Sequence, residues 1–416
     1  MDRRPRPCRA HATSLWLRAG DRFGGGPVTA FLSAPAVVCA LGENTAVVRD
    51  ALFAPQVGGV QTTDFFSAER PLALGQFSGA LPSLAHVPED LRSRNNALLE
   101  LALLQIKQPI LDAISRFGSE RVGVVLGTST SGIGESELAV DALVKTGSIP
   151  PEYTYLKQEL GSPARYVATT LGLRGPTAVI STACSSSAKS LASAARWLEA
   201  GLVDAVIAGG VDSLCRFTIA GFSALESVSA ARCNPFSKNR NGINIGEAAA
   251  LFLVTRDGSG VRLAGWGETS DAHHLSAPEP SGRGAIEAMR QALARAQLKA
   301  ADIGYVNLHG TATPLNDAME SRAVSTVLGL EVACSSTKPM TGHTLGAAGA
   351  LEAAISWLAL NDDAGRLPPH WFDGERELEL PQIRLVTPGE TGRPRAVLSN
   401  SFAFGGSNAA LVLVRD

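Results

Sequence analysis

The alternation of short, nearly uninterrupted apolar runs with long alanine-rich stretches is the feature that most limits what this chain can become. Four runs, at 122–127, 177–180, 205–210 and 305–308, are each bounded by turn residues and read as buried strands. Between and after them lie helical stretches: Asn96 to about Arg116, Ser186 to Ala200 closed by Gly201, Gly284 to Gln297, and Thr344 to Leu360. Strands that alternate with helices of ten or more residues are joined by helical crossovers, which make a mainly parallel sheet covered on its faces. The expected class is α/β. No stretch reads as a flexible linker between independent domains.

Composition narrows the function. A chain of 416 residues with 45% hydrophobic and 18% charged residues has ample core and is not disordered. A net charge of −2 gives no polyanion-binding signature, so nucleic acid is not an expected partner. No apolar run reaches the roughly 18 residues of a membrane span. The six cysteines (Cys8, Cys39, Cys184, Cys215, Cys233, Cys334) show no paired spacing, which points to reduced thiols in a cytoplasm rather than to disulfides or zinc. Residues 1–27 differ from the rest. They hold six arginines and end in Gly24-Gly25-Gly26-Pro27, and their longest apolar stretch is Leu15-Trp16-Leu17. That is too short for a secretory signal, so a disordered leader is expected, with folding starting near Val28.

One cysteine stands in a distinctive context. The run at 177–180 leads straight into Ser181-Thr182-Ala183-Cys184-Ser185-Ser186, small residues opening a helix. Free N–H groups and the positive dipole end at a helix start favour a thiolate, the usual route to a nucleophilic cysteine. Cys39, Cys215, Cys233 and Cys334 read instead as small buried hydrophobes. A thiolate nucleophile commonly works beside imidazole. His86, His273, His274 and His370 lie in polar or proline-rich loops and are expected to be exposed; His11 lies in the leader. His309 ends an apolar run, and His343 precedes a helix, each flanked by Gly and Thr. The carboxyl ends of strands are where open α/β sheets build their sites.

The ordered segments Thr182-Ala183-Cys184-Ser185-Ser186, His309-Gly310-Thr311-Ala312-Thr313-Pro314, Lys338-Pro339-Met340-Thr341-Gly342-His343 and Asn400 to Asn408 resemble those of the elongating β-ketoacyl-acyl carrier protein synthases. Gly172 to Pro176, Asn234 to Gly242 and Ser270 to Pro278 support the likeness, which runs from about Val28 to Asp416. It implies the thiolase fold: five layers, αβαβα, built from two similar α/β halves, here 28–260 carrying the cysteine and 261–416 carrying the two histidines. A weak internal echo agrees. Cys184 to Ser187 and a helix ending Ala195 to Ala200 are mirrored by Val332 to Thr337 and a helix ending Ile355 to Leu360, although two alanine-rich helices can also match by chance.

The resemblance implies a Cys–His–His condensing enzyme, because type III synthases carry Asn where His343 stands and thiolases carry a second cysteine within the region matching 400–408. Cys184 would hold the acyl group, and malonyl carrier protein would lose carbon dioxide and attack it, extending the chain by two carbons. His309 and His343 would stabilise the enolate oxygen, and the backbone N–H groups of Cys184 and Phe404 would form the oxyanion hole. Lys338 and Glu352 match a family pair near the site and are read as an ion pair that orients His343. Thr311 and Thr313 match positions that bind the phosphopantetheine arm. No metal or organic cofactor is implied, since phosphopantetheine belongs to the acyl carrier protein.

The implied partners are that carrier protein and a second chain, in a homodimer or in a heterodimer with a chain-length-factor-like subunit. The carrier protein is acidic, and Arg216, Arg232, Lys238 and Arg240 are the candidate basic patch. Two other readings are a non-catalytic tunnel-shaping subunit, opposed by the retained Cys184, His309 and His343, and a thiolase-like acyltransferase. Departures from the housekeeping pattern are Ala403 before Phe404 (usually glycine), Ala248 ending Gly246-Glu247-Ala248, Leu315 to Asp317 after the histidine motif, and the polar 127–132. They favour a dedicated aryl polyene or polyketide pathway over central fatty-acid synthesis, with a threonine-lined tunnel suited to a polyene.

Overall fold

A computed structural model describes residues 30–64 and 71–416; the expected leader at 1–27 lies outside them. In chain order the strands are β1 (Ala30–Leu32), β2 (Ala36–Cys39), β3 (Gln61–Thr63), β4 (Leu72–Leu74), β5 (Val122–Gly127), β6 (Thr177–Ile180), β7 (Ala205–Asp212), β8 (Ala248–Thr255), β9 (Val261–Ser270), β10 (Tyr305–Asn307), β11 (Ala333–Ser335), β12 (Ala396–Ala403) and β13 (Ser407–Arg415). The helices are α1 (Thr45–Leu52), α2 (Arg94–Gln105), α3 (Lys107–Phe117), α4 (Ile133–Thr146), α5 (Ser162–Leu171), α6 (Ser186–Glu199), α7 (Arg216–Ala224), α8 (Arg283–Ala296), α9 (Pro314–Leu328), α10 (Lys338–Thr341) and α11 (Ala348–Asn361).

Two five-stranded arrays share one topology. The first runs β6-β5-β7-β8-β2 and the second β11-β10-β12-β13-β9, with the first three strands of each parallel and the last two antiparallel. The short β1 pairs with both β8 and β9 and joins them. The internal echo in the sequence is therefore a repeat of architecture. β3 and β4 form a separate hairpin.

The core explains the layers. Apolar residues of α6 and α11 pack with inward residues of both arrays, making the middle layer. Helices α2, α3 and α5 cover the outer face of the first array, and α8 and α9 that of the second. This is the five-layered αβαβα arrangement. Helix α11 is buried on nearly every side because it lies between two sheets, which is why it shows no polar face. Its start presses on α6 so closely that a Cβ on Gly349 would lie 2.7 Å from the Ala188 nitrogen. Ser187 Oγ seals the contact by accepting from the Ala350 amide at 2.8 Å. The first turns of the two central helices thus meet, and each comes after the edge strand of its own half, β6 or β11.

Three sequence expectations are corrected. The single helix expected from Asn96 to Arg116 is two, broken at Ile106. Pro109 lacks an N–H, and in a continuous helix its ring would meet the carbonyl of Gln105. Strand β6, expected to be buried, is half-exposed, because it is an edge with no neighbour beyond it among the described residues. His370 is buried rather than exposed: its Nδ1 accepts from the Ser336 amide, Nε2 meets the Pro235 carbonyl at 3.0 Å, and Phe236 and Phe372 flank the ring. Among the described residues no helix is long and apolar enough to cross a membrane.

Candidate active site

The first half delivers the sulfur. Strand β6 ends at Ile180, and a tight turn puts Cys184 two residues before α6. Ala183 is held at φ +52°, a conformation that costs a non-glycine residue energy and persists where its surroundings enforce it. The enforcement is local. Ser186 Oγ donates to the Ala183 carbonyl at 2.6 Å and accepts from the Thr182 amide at 2.8 Å, while Ser185 Oγ donates to the Thr182 carbonyl at 2.8 Å. The serines after the cysteine serve the turn rather than the substrate.

The second half delivers the imidazoles. His309 lies two residues past β10, and Glu320 on α9 fixes its backbone by accepting from the amides of His309 and Gly310 at 2.8 and 2.7 Å. His343 follows α10; its amide donates to the Asn244 carbonyl at 2.6 Å, and its own carbonyl accepts from Gly246. The result is compact. His343 Nε2 lies 2.9 Å from Cys184 Sγ. The two rings stand edge to face with centroids 5.3 Å apart. The sulfur and one nitrogen of each ring all lie within 4.8 Å of one another.

Burial decides the protonation states. Desolvation, then the nearby Lys338 charge, holds both imidazoles well below the ordinary histidine range, so both are neutral at pH 7. Burial also pushes the Cys184 thiol up to about 12, against the lowering effects of Lys338 and of the Phe404 and Cys184 amides. This runs against the thiolate expected at the helix start, because desolvation is the largest influence on the sulfur.

Lys338 and Glu352 form the expected ion pair, with both side chains buried. Burial raises the Glu352 carboxyl to about 7, and the lysine charge opposes that rise. The pair holds a different residue from the one expected. Lys338 Nζ donates to the backbone carbonyl of His309, not to His343.

Phe404 opens the turn between β12 and β13. Its amide is directed at the Cys184 sulfur and its ring packs on Phe222 of α7, centroids 5.5 Å apart. The turn is tied to the nucleophile's helix, because Ser407 Oγ accepts from Lys189 Nζ at 2.6 Å and lies 3.0 Å from Ser185 Oγ. Ala403 is extended, at φ −94°, a conformation open to any residue. A cavity of about 320 Å³ leads from the surface to Cys184, His309 and His343 and is lined by Thr311, Thr313, Phe404 and Leu315 among others. The hydroxyls of the two threonines are 3.0 Å apart.

Other expectations are not met. Of the candidate basic patch, Lys238 is paired with Glu375, buried Arg240 with Glu377, and Arg232 donates to the carbonyls of Gly58, Val60 and Pro339. Arg216 alone of the four is exposed without an ion pair among the described residues. The polar 127–132 does not make a threonine-lined tunnel either. Thr128 and Thr130 donate their hydroxyls to buried Asp212 at 2.6 and 2.8 Å, beside the amides of Ser129, Thr130 and Gly346. Asp212 and Glu320 are the structural carboxylates that sequence reasoning missed.

Family models match most of the chain. Residues 97–258 match the N-terminal domain of β-ketoacyl synthase and residues 261–371 its C-terminal domain. The chain belongs to the β-ketoacyl synthase family. The synthase is 31% identical over 350 residues to a 3-oxoacyl-(acyl-carrier-protein) synthase 2 from Staphylococcus aureus (strain COL), covering 79% of this chain and 84% of that one. It is equally identical over 404 residues to a synthase of the same name from Coxiella burnetii, covering 91% and 96%. The structure of a ketosynthase in complex with its chain length factor from Xenorhabdus doucetiae is similar at 44% identity and a TM-score of 0.90, over 93% of this chain and 98% of that one. The synthase is a condensing enzyme, an acyltransferase.

Proposed function

We propose that the synthase extends acyl thioesters by two carbons through an acyl-Cys184 intermediate, in an aryl polyene or polyketide pathway, alongside a second ketosynthase-like chain. The 2.9 Å approach of His343 Nε2 to Cys184 Sγ at the end of the cavity carries this reading. In the first half-reaction the sulfur attacks the thioester carbonyl of an acyl carrier protein. His343 Nε2 takes the thiol proton as the S–C bond forms, and that proton leaves on the pantetheine sulfur. The amides of Cys184 and Phe404, both near the sulfur, would receive the developing oxyanion; one such donor is commonly worth about 10²–10³-fold in rate.

In the second half-reaction malonyl carrier protein breaks its C–C bond and releases carbon dioxide, and the electron pair becomes an enolate. Its oxygen accepts from the ring N–H groups of neutral His309 and of His343, whose neutral ring for this step carries its proton on Nε2, with Lys338 and Glu352 as positioning residues for the His309 backbone. The carbon attacks acyl-Cys184, the new C–C bond forms as the S–C bond breaks, and the departing thiolate takes up a proton from solvent to restore the thiol. Loss of carbon dioxide drives the sequence without a metal or organic cofactor. Thr311 and Thr313 line the cavity where the pantetheine arm would pass.

Two observations favour the pathway and the partner. The similar ketosynthase from Xenorhabdus doucetiae is complexed with a chain length factor. Here the open edge β6 lies in the same half as the exposed apolar residues Leu138, Val140 and Val144 of α4, an uncovered face of the kind that a second chain buries. The test compares octanoyl with a conjugated polyenoyl primer on matched carrier proteins, with and without a co-expressed chain-length-factor-like subunit, and with Cys184→Ala as control. Faster extension of the polyenoyl primer supports the pathway. Equal use removes it, and product formation by Cys184→Ala would remove the mechanism.

A further inference from the structure

The mouth of the cavity has the wrong charge for its expected visitor. A phosphopantetheine arm brings a phosphodiester to the rim, yet among the described residues no lysine or arginine lines this cavity, and the acidic residues that do are Asp271 and Glu226. Asp271 is buried and committed, accepting from Asn408 Nδ2 at 2.7 Å and from the Glu279 amide at 3.1 Å. Glu226 is exposed, and its carboxylate has no hydrogen bond or ion pair among the described residues. The paired Lys238 and Arg240 do not offset it.

Two further features make Glu226 more than a stray surface charge. It follows α7, whose carbonyl end carries the negative pole of the helix dipole and so adds to the carboxylate. It also sits at φ +51°, a position where glycine is at ease and a glutamate is strained, held there by its amide donating to the Ser223 carbonyl at 3.0 Å. A strained acidic side chain at the rim of a reaction cavity is a reason to look for function.

Resting on the reading of Cys184 as an acyl acceptor from carrier protein, we propose that Glu226 selects which carrier may dock. It disfavours a carrier whose modified serine is flanked by acidic residues and favours one that presents a cationic side chain beside that serine. The cation would answer Glu226 and shield the phosphodiester at the same point.

The experiment measures Cys184 acylation by three probes: octanoyl-pantetheine, which lacks the phosphate; octanoyl on an acidic acyl carrier protein; and octanoyl on the same carrier with lysine next to its modified serine. Wild type, Glu226→Gln and Glu226→Lys are compared, each carrier rate being divided by the pantetheine rate. At about 50 mM salt wild type should use the lysine-bearing carrier at least fivefold better. Glu226→Gln should level the two and Glu226→Lys reverse them. The preference should shrink severalfold at about 500 mM, where charges are screened within a few ångströms. A carrier preference that is the same in all three enzymes, or indifferent to salt, overturns the proposal. If octanoyl-pantetheine fails to acylate wild-type Cys184, the thioester reading falls and this one with it; if it succeeds while the carrier ratio stays fixed, only the role of Glu226 falls.

Discussion

The two halves repeat one strand order, yet they treat the same edge in opposite ways. In the second half β11 is buried, because residues 384–386 run alongside it: the Cys334 amide donates to the Arg384 carbonyl and the Val386 amide to the Cys334 carbonyl, both at 2.9 Å. In the first half β6 occupies the matching place and nothing among the described residues covers it. The loops that follow these strands also differ in content, one holding Cys184 and the other His343. Two equivalent turns meet at the middle layer, one carrying a nucleophile beside an open edge and the other an imidazole beside a closed edge.

A charge placed on each edge is the strongest way to break this comparison. Ala333→Lys, at the start of β11, buries an ammonium in a filled layer and should cost several kcal/mol, about 3 or more, with loss of soluble folded protein. Thr177→Lys, at the matching start of β6, should change the unfolding midpoint little, on the order of 0.5 kcal/mol, because the residue is already exposed. It should instead shift the mass seen by light scattering toward the single chain, since edge lysines oppose strand pairing. Equal destabilisation by both would mean that β6 is not an open edge.

A smaller effect sharpens the contrast through His370, which belongs to the closed edge. Burial, its largest influence, lowers this imidazole from 6.5 to about 4. Between those values the unfolded chain binds a proton that the folded chain refuses, so stability rises with pH and is lost as pH falls. His370 alone should remove about 2 kcal/mol between pH 7 and pH 5. His370→Gln should flatten the pH dependence of thermal unfolding in that window, even if it lowers stability at pH 7. An unchanged slope would place the titration elsewhere, His309 and His343 being the other deeply buried imidazoles.

The sequence carried the nucleophile and the histidines because each sits in a short local pattern: an apolar run, a small-residue turn, a helix start. Pro109 was also a legible signal, and it marks the break between α2 and α3. Asp212 and Glu320 left no such trace. Asp212 is satisfied by amides and hydroxyls brought in from distant segments, and Glu320 by the amides of the preceding turn and by Asn400 from another strand, none of which the residues beside each carboxylate announce. The same limit misled the reading of His370, whose proline-rich surroundings are local while its burial is not. It also misjudged Lys238 and Arg240, whose acidic partners lie more than 130 residues away in the chain.

The most direct measurement is intact-protein mass spectrometry after brief exposure to octanoyl carrier protein, followed by peptide mapping. A single octanoyl adduct on the peptide containing Cys184, absent from Cys184→Ala and discharged when malonyl carrier protein is added, is the expected result. An adduct on another cysteine, or extension of the chain with no acyl group ever resident on that sulfur, would contradict the account.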